Sequence, residues 1–307
     1  MTRVGGVARV GRVVVTGSAG LVGSAVVRLL RESGRTVVGV DLVGSPDTDV
    51  VADLRDGVAW RGALAGAEAV VHAAALHAPH VGVRPDAEFH AVNVGATGEL
   101  LSAAEAAGVR RFVLTSSTSV YGHALVPSDG AAVWVTEDLI ARPRDVYDET
   151  KLAAERLVLE ATGMTTACLR IARCFPEPPP LLARHRLYRG VDLADVARAH
   201  LLAVESATAA GVVNIAGPYP WRTDDLARLH RAPAALIAER MPEAAAGFDR
   251  LGWDLPRSID RVYVSERAAR VLGYRPRRTV ADVLAEAAGQ RGWSDGRIGR
   301  QNGEHVD

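Results

Sequence analysis

The chain has 307 residues, 48% of them hydrophobic, and its 36 Lys and Arg balance its 36 Asp and Glu to a formal net charge of zero. This length can bury one large core or two unequal ones. The zero net charge gives no electrostatic reason to expect nucleic acid or an anionic membrane as a partner. No apolar run approaches the roughly 18 residues of a membrane span, and the N-terminal MTRVGGVARVGR lacks the apolar stretch of a signal peptide. We therefore expect a soluble, cytoplasmic protein with a short extension before its first strand.

The N-terminal half alternates short β-branched runs with longer runs rich in Ala and Leu. The predicted strands are RVVVTG, TVVGVD, the start of DVVADLRD, AEAVVHAAA, RRFVLTSS and TTACLRIARCF. The predicted helices are LVGSAVVRLLRESG, a short one around VAWRGALAG, PDAEFHAVNVGATGELLSAAEAAG and DVYDETKLAAERLVLEATG. Strands that are apolar throughout and alternate with helices indicate a parallel sheet covered on both faces. The sequence thus predicts an α/β protein with a Rossmann-type doubly wound sheet.

After Phe175 the alternation stops at the proline run PEPPP, which cannot continue a strand. We expect residues 11–175 to form the main domain, with 190–217 returning to it through a helix and the late strand GVVNIAG. Residues 176–189 and 218–290 should form a small, mainly helical substrate-binding region without further alternation. Residues 291–307 are polar, and we expect a flexible tail.

The only two cysteines, Cys168 and Cys174, fall in one predicted strand. Their offset of six residues places them about 20 Å apart in an extended strand, too far for a disulfide. The sequence predicts neither a disulfide framework nor a metal site.

A glycine-rich turn, TGSAGLVG, lies between the first predicted strand and helix. Gly17, Gly20 and Gly23 would let the chain turn tightly and bring backbone N–H groups and a helix N-terminus to a pyrophosphate. Asp41 ends the second strand, where a carboxylate can accept hydrogen bonds from an adenosine ribose and repel a 2′-phosphate. This combination favours NAD over NADP, although Asp41 could also be a simple turn residue.

The segment ADLRD follows the third predicted strand and offers Asp53 and Leu54 to an adenine edge. The alternative for Asp53 is a helix N-cap. In YDETK, Tyr147 and Lys151 lie just over one turn apart on a helix face. That spacing alone does not distinguish a catalytic pair from two surface residues on a helix.

Several motifs occur together in order: TGSAGLVG, ADLRD, VVHAAA, AVNVGATGELL, LTSSTSVYG and YDETK. Together they resemble the extended short-chain dehydrogenase/reductase family, in its NAD-dependent epimerase/dehydratase branch, over residues 12 to about 175. A weaker similarity continues from YRGVDLADVARAH to YVSERAARVLGYRPRRTVADVL.

The resemblance implies a catalytic trio of Ser117, Tyr147 and Lys151, with Ser116 and Thr118 as alternatives for the serine. Tyr147 would act as general acid/base, Lys151 would hold the nicotinamide ribose, and Ser117 would hydrogen bond to the reacting oxygen. A neighbouring ammonium favours a phenolate, so we expect Lys151 to lower the pKa of Tyr147 below its ordinary value near ~10.

The resemblance also implies a cofactor site. Its predicted residues are Gly17, Ala19, Gly20, Leu21, Val22, Gly23, Asp41, Asp53, Leu54, Ala73, Ala74, Ala75, Asn93, Tyr147 and Lys151. Asn93 would brace the backbone near the active site, or else be an ordinary polar residue on a helix.

The chain departs from the family at three places. Thr118 and Ser119 stand where dehydratases carry an acidic pair, which argues against a dehydratase. Arg173 replaces a usual asparagine and would either clamp a substrate carboxylate or phosphate or form a structural ion pair. The segment after FPEPPP is short for a nucleotide subsite, and the compact layout bears a partial likeness to uronate dehydrogenases.

The predicted substrate-binding residues are His77, Ser117, Thr118 and Arg173, although His77 could be a loop histidine without a special role. We expect an NAD-dependent oxidoreductase that interconverts a hydroxyl and a carbonyl on a sugar-like or polar natural-product substrate. The alternative is a redox-neutral nucleotide-sugar epimerase with tightly bound NAD, and a remote one is a non-catalytic NAD-binding protein. By family analogy we expect a homodimer packed through the two long helices.

Overall fold

The computed structural model describes residues 11–206 and 208–298, with residues 290–298 described by their backbone only. The predicted N-terminal extension and residues 299–307 of the predicted tail lie outside this range. Within it, no helix is both long and apolar enough to cross a membrane.

The described residues form nine strands in two sheets. The strands are β1 (Arg12–Thr16), β2 (Thr36–Asp41), β3 (Val50–Val51), β4 (Ala67–His72), β5 (Arg111–Ser117), β6 (Val133–Val135), β7 (Thr165–Ile171), β8 (Gly211–Ile215) and β9 (Arg261–Tyr263). Seven of them build the main sheet in the order β3-β2-β1-β4-β5-β7-β8, with every neighbouring pair parallel. The order reverses next to β1, so the carboxyl ends of β1 and β4 flank a crevice where such sheets bind ligands.

Helices cover both faces of this sheet. The α-helices of the described residues are α1 (Leu21–Glu32), α2 (Asp86–Phe89), α3 (Ala96–Ala106), α4 (Val146–Glu160), α5 (Pro179–His185), α6 (Leu193–Glu205), α7 (Leu226–Arg231), α8 (Pro233–Arg240), α9 (Pro242–Arg250), α10 (Glu266–Leu272) and α11 (Val280–Ile298). Val13 and Val15 of β1 face the cluster that contains residues of α1 and α6, whereas Val14 faces the cluster formed with α3 and α4. Alternate side chains therefore pack against opposite helical layers. The predicted doubly wound Rossmann-type fold is confirmed.

Two predicted helices differ in detail. The long helix over PDAEFHAVNVGATGELLSAAEAAG is interrupted by a π-helical segment, His90–Gly95, between α2 and α3. The short helix near VAWRGALAG is a single 3₁₀ turn, Arg61–Leu64. Single-turn π segments inside α-helices are frequent at functional sites.

A third hydrophobic cluster lies outside the main sheet and packs Leu236 and Phe248 of α8 and α9 against α5 and α11. Ala132, next to β6, also belongs to this cluster. The region after residue 218 is mainly helical but also contains the three-residue strand β9, which was not predicted and pairs with β6 in a second, parallel sheet. The helix α11 also runs to Ile298, into the predicted tail.

The chain after β7 departs from expectation at two points. The strand ends at Ile171, so Cys174 lies beyond it, and both cysteines are buried and free. The helix α5 begins inside the proline run at Pro179. Proline suits the first position of a helix because the N–H it lacks has no partner there.

Candidate active site

Backbone hydrogen bonds hold the glycine turn between β1 and α1 in place. Gly17 has a φ of 74° and donates its N–H to the carbonyl of Val40 at 2.9 Å. A Cβ on Gly17 would lie 2.5 Å from the nitrogen of Ala74, and one on Gly23 would overlap the carbonyl oxygen of Gly17. Gly20 caps α1 without a side-chain hydrogen bond, so the first-turn N–H groups stay available for an anion.

Asp41 lies at the end of β2 beside this turn. Its Oδ2 accepts the N–H of Ala19 at 2.9 Å, and its Oδ1 accepts the N–H of Val43 at 3.0 Å. Asp41 therefore shapes the loop, and each carboxylate oxygen has a further lone pair for a ligand.

Asp53 and Leu54 are placed differently. The Arg55 guanidinium makes a bidentate pair with the Asp53 carboxylate, 2.6 Å at its shortest, and holds the pKa of that carboxyl below its ordinary value. Leu54 is buried, and its carbonyl accepts the indole N–H of Trp60 at 3.1 Å. The adenine contact of both residues stays a prediction.

Ser117, Tyr147 and Lys151 meet at one cavity of about 380 Å³. Ser117 ends β5, and the other two lie in the first turns of α4, which is capped by the Asp145 carboxylate accepting the N–H of Asp148 at 3.0 Å. The other predicted residues that line the same cavity are Gly17, Gly20, Leu21, Val22, Gly23, Ala73, Ala75, His77, Thr118 and Arg173. One cavity thus joins the glycine turn to Ser117, Tyr147 and Lys151. Ala19, Asp41, Asp53, Leu54, Ala74 and Asn93 were also predicted but do not line it.

Burial is the largest cause of the pKa shifts of Tyr147 and Lys151. It raises the pKa of Tyr147 to about 12, and the Ser117 hydroxyl only partly offsets this rise. Burial also lowers the pKa of Lys151 to about 8, against the opposing charge of Glu155. The expectation that Tyr147 has a lowered pKa is wrong for the chain by itself, because desolvation of the phenolate outweighs the favourable groups.

The three hydroxyls at the end of β5 have different partners. Ser116 donates to the Glu155 carboxylate, and Thr118 donates to the carbonyl of Ile171 at 3.3 Å. The Ser117 hydroxyl accepts the N–H of Ser119 at 3.1 Å and interacts with the Tyr147 phenol. Of the three candidates, Ser117 is the one whose hydroxyl meets Tyr147.

A buried ion pair lies behind Lys151. Glu155, one turn further along α4, accepts two hydrogen bonds from Arg170 of β7, at 2.9 Å from Nε and 2.7 Å from Nη2. Arg170 also stacks over the ring of Tyr121, at 4.8 Å from the ring centroid. This packing fixes the carboxylate that favours the charged form of Lys151.

Asn93 connects the end of β4 to α4. It is 1% exposed, and its Nδ2 donates to the hydroxyl of Thr150 at 3.1 Å. The amide also bonds to the backbone of Leu76, on the loop that leads to His77. The predicted bracing role agrees with these contacts, while direct contact with the cofactor stays a prediction.

Four arginines line the cavity: Arg144, Arg173, Arg189 and Arg261. Only Arg173 was predicted, since the others come from a loop, the segment before α6 and the short strand β9. Two roles were left open for Arg173, a clamp for a substrate anion and a structural ion pair. Its position agrees with both, because it lines the cavity and also pairs with Glu177 at 2.7 Å. No Asp or Glu of the described residues lines this cavity.

The family model for the NAD-dependent epimerase/dehydratase family matches residues 13–177, more than half of the chain. The chain belongs to this family. The resemblance deduced from the motifs is thereby confirmed, while the likeness to uronate dehydrogenases stays a hypothesis.

Two curated relatives are similar to about half of the chain. A 3-beta-hydroxysteroid dehydrogenase of Mycolicibacterium neoaurum is 37% identical over 175 residues, which cover 52% of this chain and 46% of that protein. A UDP-glucose 4-epimerase of Corynebacterium glutamicum is 31% identical over 170 residues, covering 52% and 50%. The chain thus matches about half the length of these relatives.

Solved structures extend the similarity along the chain. A short-chain dehydrogenase/reductase superfamily protein of Agrobacterium tumefaciens with bound NAD is 28% identical, with a TM-score of 0.70 over 94% of this chain and 100% of that one. MoeE5 in complex with UDP-glucuronic acid and NAD is 29% identical, with a TM-score of 0.64 over 92% and 100%.

Proposed function

We propose that the protein is an NAD-dependent oxidoreductase that interconverts a hydroxyl and a carbonyl on a polar, sugar-like substrate. The observation that carries this proposal is the single cavity lined by the glycine turn, Ser117, Tyr147 and Lys151. A nucleotide cradle and an acid/base group are the two parts that hydride transfer requires from a protein.

The residues of the glycine turn fit NAD. A Cβ at Gly17 or Gly23 would fill the turn, and the uncapped first turn of α1 offers N–H groups to a pyrophosphate. Asp41 would accept the ribose hydroxyls and repel a 2′-phosphate. NAD would supply the hydride acceptor and, in its oxidised form, a positive charge.

Tyr147 would move the proton. As a base, its Oη takes the proton of the substrate hydroxyl, and as an acid it returns a proton to the carbonyl oxygen. A pKa near 12 keeps the phenol protonated at neutral pH, ready to act as the acid. Lys151 and Ser117 favour the phenolate that the reverse direction needs, and Ser117 fixes the reacting oxygen.

A redox-neutral nucleotide-sugar epimerase is the second candidate, because MoeE5 is solved with both UDP-glucuronic acid and NAD. The same trio would serve it. The region after β7 favours the first candidate, because only residues 172–192 lie between β7 and α6 and α5 occupies seven of them. A full nucleotide subsite is hard to build from so short a segment. A homodimer through α3 and α4 stays a prediction.

The test is a substrate panel. The pure protein with excess NAD is given free hexuronates, aldoses and nucleotide sugars, and each sample is followed by NADH absorbance and NMR. Accumulating NADH supports the dehydrogenase, and an epimeric product without NADH supports the epimerase. Bound NAD without turnover of any member of the panel would contradict the proposed substrate class.

A further inference from the structure

One wall of the cavity is positively charged, although the chain as a whole has a formal net charge of zero. Four arginines line it without a lining carboxylate from the described residues. A cleft lined by one sign of charge concentrates ligands of the opposite sign. The four arginines differ in how far their own charge is already neutralised.

Three of these arginines have a carboxylate partner. Arg144 pairs with Asp148 at 3.2 Å, Arg173 pairs with Glu177, and Arg261 pairs with Asp260. Arg189 has no carboxylate of the described residues within ion-pair distance. Its Nη2 instead contacts Nε2 of His185 at 2.7 Å, and its guanidinium lies over the ring of Tyr188 at 5.5 Å.

The partners of His185 fix its charge. A guanidinium can only donate, so Nε2 of His185 must accept from Arg189. Nδ1 then carries the proton and donates to the Glu177 carboxylate at 2.6 Å. Burial lowers the pKa of His185, which agrees with a neutral ring. The other oxygen of Glu177 accepts from Arg173 at 2.7 Å.

Arg173, Glu177, His185 and Arg189 therefore form one chain of hydrogen bonds with two positive charges and one negative. The backbone holds its two ends together, since Arg173 donates its N–H to the carbonyl of Arg189 at 3.1 Å. The Nε of Arg189, which is buried, has no hydrogen-bond partner among the described residues. An unsatisfied buried donor and an unbalanced charge at a cavity wall both call for an anion.

We propose that Arg189, positioned by His185 and Glu177, binds an anionic group of the substrate, a carboxylate or a phosphate monoester. This inference rests on the proposed function and names the substrate class of the same cavity. The substrate would carry its reacting hydroxyl at Tyr147 and its anion at Arg189.

The test compares D-glucose, D-glucuronate and D-glucose 6-phosphate, which share a ring and differ in the group at carbon 6. Calorimetry on the protein saturated with NADH, which cannot accept a hydride from these sugars, gives each dissociation constant with the glycine turn already filled by the cofactor. We expect at least one of the two anions to bind about tenfold or more tightly than glucose. Whichever anion binds more tightly identifies the anionic group as carboxylate or phosphate.

Two variants test whether Arg189 causes the tighter binding of the anions. Arg189→Met should abolish the advantage of the anion, and Arg156→Met, an exposed arginine of α4 outside the cavity, should keep it. Equal binding of glucose and both anions, no binding of any of them, or an advantage that survives in Arg189→Met would overturn the inference. NAD affinity is measured separately on each variant, so a failure to bind NAD counts against the proposed function alone. A folded Arg189→Lys variant with partial recovery would show that the charge matters.

Discussion

The carboxamide of Asn93 bonds to both backbone polar groups of Leu76. Its Oδ1 accepts the N–H of Leu76 at 2.8 Å, and its Nδ2 donates to the carbonyl at 3.1 Å. The π-helical segment carries Asn93, and the loop after β4 carries Leu76 to the cavity wall at His77. One buried side chain therefore sets the position of that wall relative to α4.

Replacing the Asn93 carboxamide should lower both the stability of the protein and its affinity for NAD. Asn93→Ala leaves the polar groups of Leu76 without these partners, and we expect the free energy of unfolding to fall by about 1–3 kcal/mol. NAD affinity should fall as well, because the loop after β4 lines the cavity. Denaturant unfolding and calorimetry check both effects. Asn93→Asp should lose at least as much as Asn93→Ala, because it places a buried carboxylate against the carbonyl of Leu76. Native stability and native NAD affinity in Asn93→Ala would contradict the assignment.

The glycine turn offers a sharper steric test. In Gly23→Ala the new methyl group would overlap the carbonyl of Gly17, so α1 must move away from the turn. We expect NAD affinity to fall about tenfold or more, since the N–H groups of α1 shift with it. Gly62→Ala is the matched control, because nothing lies within 4 Å of its Cβ. Equal NAD affinity in the two variants would show that the turn does not hold the cofactor.

Asp41 should determine the choice of cofactor. Asp41→Ser removes the negative charge that would repel a 2′-phosphate and keeps a hydroxyl that can accept the N–H of Ala19. We expect NAD to bind roughly tenfold more weakly and NADP to bind more tightly than in the native protein. Asp53→Ser is the control, since Asp53 is paired with Arg55. A preference for NAD that is unchanged in Asp41→Ser and lost in Asp53→Ser would reverse the two roles.

Acid should destabilise the fold through His72. This histidine is 1% exposed and contacts the hydroxyls of Thr16 at 2.7 Å and Thr97 at 2.8 Å. Burial lowers its pKa from 6.5 to about 3, so between these values the unfolded chain binds a proton that the folded chain does not. Stability from this group is present above pH 6.5 and is lost as the pH falls, by about 3 kcal/mol between pH 7 and pH 4.

Unfolding free energies measured across that range check this sign. His72→Gln should flatten the slope of stability against pH by close to one proton. An unaltered slope in His72→Gln would mean that His72 is not the group that titrates.

Most of the main sheet could be predicted because six of its seven strands are apolar runs of five to seven residues, most of them separated by helices. The second sheet could not, since β6 and β9 are three residues each and lie 128 positions apart at Val133 and Arg261. No local pattern signals a pairing at that distance. The π-helical segment was also missed, because its composition is that of an ordinary helix.

The meeting of Ser117, Tyr147 and Lys151 at one cavity was predictable, because one residue ends a strand and the other two lie four positions apart on one helix. Arg189 and Arg261 were not, because they reach the cavity only through the bridge between Arg173 and Gly190 and through β9. The pKa of Tyr147 was predicted in the wrong direction because burial, the dominant cause, depends on the packing of Phe89 and Val146 around it. Spacing predicts which groups meet, whereas desolvation follows from the tertiary fold.

The most direct test of the central claim follows hydride transfer in a single turnover as NADH absorbance, in the native protein and in Tyr147→Phe. The substrate is the one that the panel identifies. If Tyr147 carries the proton, the variant should bind NAD as the native protein does and transfer hydride 10²–10⁴-fold more slowly. The native rate of alcohol oxidation should rise with pH below the pKa of Tyr147, and the residual rate of the variant should not. Hydride transfer at the native rate in Tyr147→Phe would contradict the account.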